Sequence, residues 1–330
     1  MALSTRIPPL LQAYVELPRD DSILLLTSTL GASANWLLVR FLCSALSTTT
    51  RQDGGGEAHG VVLVSWMREY DFWRQEARKG AGLDVEQLRK DRRFAFVDGL
   101  GADSQTNVQT TPRAAAPSAT PAQRGPPVLP ARGPPGRTGP AGAPRPATST
   151  PGHYTLGSLE MADITATVSR AISSLATSAA HPHTLVVLDN PDLLLALNPA
   201  VTPSDFAALV LQLHTLPNVS HVLTHIHADT PLLSLSTPPQ PLQVAHHNLL
   251  VKCAHMSRRI LGLRVLDTGV ARDVSGVVRV TEQTRQRLGV GFDIEQTNGG
   301  HDSGRAKELL YQVKSDGSVS VFERGAGREG

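Results

Sequence analysis

The chain alternates between short apolar runs and longer stretches whose apolar residues recur every three or four positions. The runs Ile23 to Thr27, Val61 to Ser65, Phe94 to Val97, Leu185 to Leu188 and His221 to Thr224 lack polar alternation, as strands covered on both faces do. Between them, Ala34 to Leu46, Glu69 to Lys79, Val85 to Lys90, Leu156 to Ser178 and Ser204 to His214 have helical spacing. Strands joined by helical crossovers pair in parallel with right-handed connections, which predicts an α/β sandwich. The last third changes character: Arg259 to Leu266, Val277 to Thr281, Leu309 to Val313 and Val319 to Phe322 read as short strands without long helices between them. Ser315-Asp316-Gly317 supplies a hairpin turn before the last of these. The expected architecture is a mostly parallel, twisted sheet flanked by helices and extended by C-terminal antiparallel strands.

One segment follows neither period. Residues 101–152 hold 12 of the 24 prolines, in phrases such as RGPPVLPARGPPGRTGPAGAPRP, and have no apolar rhythm. Such a stretch cannot bury enough surface to offset the entropy of ordering, and glycine does not recur at every third place as in collagen. It reads as a disordered insertion that divides one domain into halves at residues 1–100 and 153–330. Composition sharpens this division. No acidic residue lies between Asp103 and Glu160, where Arg113, Arg124, Arg132, Arg137 and Arg145 stand. The rest of the chain carries 26 basic and 29 acidic residues, a net charge of −3, so bulk charge supplies no nucleic-acid-binding face.

With 40% hydrophobic residues the chain can build a sizeable core. The apolar stretch Ile23 to Leu46 is long enough for a membrane span, but a central Arg40 argues against one. Pro8, Pro9 and Glu16 break the amino-terminal apolar character that a secretory signal requires. Cys43 and Cys253, far apart and in apolar surroundings, suit buried reduced thiols.

Four stretches are candidates for chemistry. LLLTSTLGASANWLL, Leu24 to Leu38, has the strand-turn-helix outline of a phosphate-binding loop. Such a loop needs glycines so that backbone N–H groups surround the phosphates, a lysine for the β and γ oxygens, and a hydroxyl for magnesium. Taking Gly31 as the second glycine places Ala32 at the lysine position; the later register places Asn35 there, so neither holds a lysine. Ser33 remains a candidate helix cap. LVVLDN ends a strand with Asp189, where a magnesium-organising carboxylate would stand or where a turn residue would serve equally, and nothing in their spacing selects Glu76 or Asp98 as replacement acids. In VLTHIHADT, the spacing of His225, His227 and Asp229 resembles the start of the metallo-β-lactamase HxHxDH motif, with Thr230 in place of its next histidine. The alternative is that His221, His225 and His227 share one strand or loop face without a metal. In HHNLLVKCAHMSRR, Leu249, Leu250, Cys253 and Met256 would face a core at helical spacing and leave Lys252, Arg258 and Arg259 outward as candidate RNA contacts or a solvated face.

Taken together, TSTLGASANWLLVRFL, VVLVSWMREYDFW, GLDVEQLRKDRRFAFVDGL and LVVLDNPDLLLAL, in this order, resemble the family of the sixth subunit of the Elongator complex, in its fungal form. The resemblance covers Ile7 to Leu100 and about Leu156 to Glu323. It implies a RecA-like fold with a degenerate P-loop, no cofactor and no catalytic residue of its own. The implied partners are Elongator subunits 4 and 5 in a heterohexameric ring, the catalytic Elongator subcomplex, and tRNA whose wobble uridine is modified; the implied location is cytoplasmic and nuclear. In such a ring the degenerate loop, with Ser28, Gly31, Ser33 and Asn35, is expected at a subunit interface. The alternatives from the residues alone are an active RecA-like ATPase and a zinc hydrolase using HxHxD.

Overall fold

The computed structural model describes residues 7–47, 59–101, 151–176, 183–234, 236–269, 271, 273–283 and 306–323. The predicted insertion therefore lies, from 102 to 150, outside the described residues. Strands from both sides of it join one sheet. They are β1 (Ser22–Ser28), β2 (Gly60–Ser65), β3 (Phe94–Asp98), β4 (His153–Thr155), β5 (Thr184–Asp189), β6 (Val219–His227), β7 (Arg259–Arg264), β8 (Gly276–Glu282), β9 (Lys307–Val313) and β10 (Val319–Glu323). Their spatial order is β10-β9-β8-β7-β1-β6-β5-β2-β3-β4. From β7 to β4 every pairing is parallel, whereas β7-β8, β8-β9 and β9-β10 are antiparallel. The expected architecture is observed. The β9-β10 connection turns at Gly317, whose φ of +82° needs a residue without Cβ, and its N–H donates to the Lys314 carbonyl at 2.9 Å.

Helices cover the parallel strands on both faces. On one side lie α1 (Pro9–Val15), α2 (Asn35–Leu46), α3 (Tyr70–Ala81) and α4 (Val85–Lys90), packed over Leu24, Leu26, Leu63, Val187 and Leu223. Helix α3 inserts Trp73, Ala77 and Ala81, four residues apart, and ends at Gly82 in the left-handed region. The other side carries α5 (Met161–Ala176), α6 (Leu194–Leu197), α7 (Pro203–His214) and α9 (Pro241–Met256), packed over Leu25, Val62, Val186 and Val222; a single turn, α8 (Thr230–Leu233), precedes α9. Helix α7 starts with a reciprocal cap between Thr202 and Asp205, with Pro203 in its first position. Both cysteines are buried free thiols. No helix among the described residues is long and apolar enough to cross a membrane.

Four features depart from the sequence reading. Helix α1 and strand β4 were not expected, because seven residues and three residues are too short to carry a period. Strand β6 runs on to His227, since the histidines after Thr224 continue its pairing with β1 and β5. Finally, α9 stops at Met256; Arg258 lies in the connection and Arg259 opens β7, so the two arginines are not on the helix that presents Lys252.

Candidate functional site at the carboxyl edge of the sheet

Strand alternation places Leu24, Leu26 and Ser28 on the face covered by α2 and α3. Register then aligns the neighbours: Leu26 lies opposite His225, His225 opposite Asp189, and Asp189 opposite Ser65. As a result Ser28, Asp189 and Ser65, the last residues of β1, β5 and β2, and His225, two residues before the end of β6 between β1 and β5, point into the same layer at the carboxyl edge. In open α/β sheets that edge is where ligands bind.

There they form one hydrogen-bonded chain. The Ser28 hydroxyl lies 2.8 Å from His225 Nε2, and His225 Nδ1 lies 2.9 Å from Asp189 Oδ1. Ser65 donates its hydroxyl to Asp189 Oδ2 at 2.8 Å and accepts the Arg68 N–H at 3.1 Å. The neutral imidazole consistent with both contacts carries its proton on Nδ1, donating to the carboxylate, and accepts the serine proton at Nε2. Water is largely shut out: Ser28 and His225 are each 3% exposed and Asp189 is 0% exposed.

A second group surrounds His227, two residues further along the same strand face. Its Nδ1 lies 2.8 Å from the Asn190 amide and 3.4 Å from Asp192 Oδ2. Hydrogen bonding to Asp192 raises the His227 pKa against the opposing effect of burial. The His227 carbonyl accepts a bond from His246 Nε2 at 2.8 Å, which ties the strand end to α9.

The turn after Ser28 is held from the segment that follows β6. Asp229 Oδ1 accepts the Leu30 N–H at 2.6 Å, and Gly31 adopts φ +87°. Ser33 is not the N-cap residue, which is Ala34 and supplies no side-chain cap; from one residue earlier its hydroxyl accepts the Asn35 N–H at 3.3 Å. Asn35 is the first residue of α2. Leu30 projects outward at 86% exposure.

This arrangement is poorly suited to a magnesium-bound phosphate. Asp189, placed where it would organise the cation, is satisfied by His225 and Ser65, and a carboxylate occupies a backbone donor of the turn that would otherwise face an anion. The proposed HxHxD metal set also comes apart. His225 turns to Asp189, His227 to Asn190 and Asp192, and Asp229 to the loop. Among the described residues no three His, Cys, Asp or Glu side chains converge as a metal site. Glu76 lies on α3, and Asp98 caps its own turn by accepting the Leu100 N–H.

The candidate RNA contacts also separate. Lys252 is exposed on α9, whose Leu249 and Cys253 are buried as expected. Arg258 is paired to Asp20 at 2.6 Å. Arg259 binds Glu282 at 2.6 Å and the carbonyls of Tyr14 and Glu16 at 2.9 and 3.0 Å. Both arginines thus fasten the segment between α1 and β1 to the start of β7. The serine-histidine-aspartate chain escaped the sequence reading. Its only signal was a polar residue at or near the end of each of three apolar strands, and their spatial order and register had to be known before those residues could be placed in contact.

An uncharacterized protein of Pyrococcus horikoshii, solved in complex with an unknown peptide, aligns over 98% of this chain and 100% of its own, with TM-score 0.53 and 10% identity. A KaiC-like protein from the same hyperthermophilic archaeon aligns over 98% and 99%, with TM-score 0.47 and 11% identity. The fold is RecA-like: a mostly parallel sheet between helical layers, extended by antiparallel strands. No family model and no curated protein matches the sequence.

Proposed function

We propose that this RecA-like chain is a subunit of an Elongator-type accessory ring that takes no catalytic part in the tRNA modification itself. It assembles with subunits 4 and 5 as a heterohexamer and supports tRNA binding while a separate catalytic subcomplex modifies the wobble uridine, U34, in cytoplasm and nucleus. One observation carries the loss of nucleotide chemistry: the place of the cation and phosphate is taken by the chain's own groups, His225 between Ser28 and Asp189, and Asp229 on the Leu30 N–H. The four sequence segments given above support the particular ring. On this reading the edge from Ser28 to Asn35 serves assembly, and the exposed Leu30 at its tip is the side chain a neighbour covers. Lys252 remains the candidate RNA contact, because Arg258 and Arg259 would have to leave Asp20 and Glu282 to reach a phosphate.

The test is co-expression with the two partner subunits, followed by sizing of the purified assembly and titration with tRNA. A hexamer containing this chain is expected, with Leu30→Glu weakening it and Lys252→Glu lowering tRNA affinity without loss of assembly. A chain that stays monomeric beside both partners sinks the reading. The ATPase alternative requires tight magnesium-ATP binding by the isolated chain, which the filled edge opposes.

A further inference from the structure

The contacts that spoil this edge for phosphate chemistry are those of an acyl-transfer site. A serine nucleophile needs its hydroxyl on the imidazole Nε2 and a buried carboxylate on Nδ1, and the constellation is recognised by these roles on unrelated folds. Ser28, His225 and Asp189 meet both conditions at 2.8 and 2.9 Å. The orienting carboxylate is itself held by the Ser65 hydroxyl at 2.8 Å. Ser28 closes a parallel strand before a turn into α2, the strand-turn-helix setting from which α/β-hydrolases present their nucleophile, and the chain order Ser28, Asp189, His225 is also theirs. The residues around Ser28 lack the GxSxG pattern of that class; Leu26 and Leu30 stand at its glycine positions.

We infer that Ser28 is a nucleophile toward small acyl donors, with His225 as its general base and Asp189 as the residue that positions the imidazole. With a small ester, the Ser28 Oγ forms a bond to the carbonyl carbon while its proton passes to His225 Nε2. The ester C–O bond then breaks, and the leaving alcohol takes that proton. Water, deprotonated by the same nitrogen, releases the carboxylic acid and restores the serine. This activity goes beyond the ring-subunit reading and does not depend on it.

The test treats the full chain with phenylmethylsulfonyl fluoride and, separately, p-nitrophenyl acetate, and maps adducts by peptide mass spectrometry. A sulfonyl adduct on Ser28 is expected, absent in Ser28→Ala. In His225→Gln its rate of formation should fall by about a hundredfold. If His225→Gln does not fold, the burst of p-nitrophenol from the unaltered chain against Ser28→Ala decides. The inference is overturned if the folded chain acquires no adduct on Ser28, if folded His225→Gln labels at the unaltered rate, or if Ser28→Ala retains the burst.

Discussion

His221 sits in β6 at 2% exposure, at the opposite end of the strand from the carboxyl-edge site. Its ring is held on both sides: Nε2 donates to the Pro18 carbonyl at 3.0 Å, and Nδ1 lies 2.8 Å from the Ser220 hydroxyl. Burial, reinforced by the neighbouring His59 ring at 5.9 Å and by His214, pushes its pKa from 6.5 down to about 4, while the Pro18 carbonyl and Asp21 pull the other way. The folded protein therefore binds this proton less readily than the unfolded chain. The stabilisation is complete above the unfolded pKa and is lost as pH falls from 6.5 toward 4. A proton bound that much more weakly corresponds to about 3 kcal/mol lost once both states are protonated, most of it gone by about pH 4.5. The glutamine in His221→Gln retains an N–H for the Pro18 carbonyl but cannot titrate. Urea denaturation at about pH 7.5 and pH 4.5 gives the loss of stability for each protein, and carboxylate contributions cancel in the difference. The unaltered chain is expected to lose about 2–3 kcal/mol more than the variant, a large fraction of an ordinary domain's stability. Equal losses in the two proteins, measured with unchanged denaturant slopes, would refute the account of a neutral buried histidine.

The other predictions concern the site and its surroundings. Removing Arg259 by alanine substitution should destabilise the fold by about 1–3 kcal/mol, because Glu282 and the carbonyls of Tyr14 and Glu16 lose a shared donor, whereas Lys252→Ala should change it by less than about 0.5 kcal/mol; thermal melts compare them. Asn35→Lys should not create ATP turnover in a phosphate-release assay, since Asp229 and His225 still occupy the edge, and robust turnover would contradict this. The raised pKa of His227 means that its bond to Asp192 adds stability below the ordinary imidazole range and loses it as pH rises through the shifted value. Asp192→Asn should remove that component, which NMR titration of the His227 ring can follow. Deleting Thr111 to Pro151 should leave expression and melting temperature nearly unchanged, because closing a shorter loop costs little and the segment has no apolar period; insoluble protein would show otherwise.

The sequence by itself determined the layers. Leu24 to Leu26, Val61 to Val64 and Leu185 to Leu188 are apolar without alternation because helices cover both their faces, and that property needs no knowledge of neighbours to be read. The missing lysine was equally plain, since a motif of fixed spacing either holds the residue or does not. What only the tertiary structure decided is which polar strand ends meet. Ser28, Asp189 and His225 are separated by more than a hundred residues and by thirty-six, and their contact follows from β6 lying between β1 and β5 in a particular register. A slip of one residue would have turned His225 to the opposite face, where Val222 and Ile226 lie. The same holds for Arg258 and Arg259: helical spacing placed them outward, but the helix ended at Met256 and Asp20 and Glu282 were brought beside them by strand order. Periodicity records what a segment does to water; it does not record which segment stands next to it.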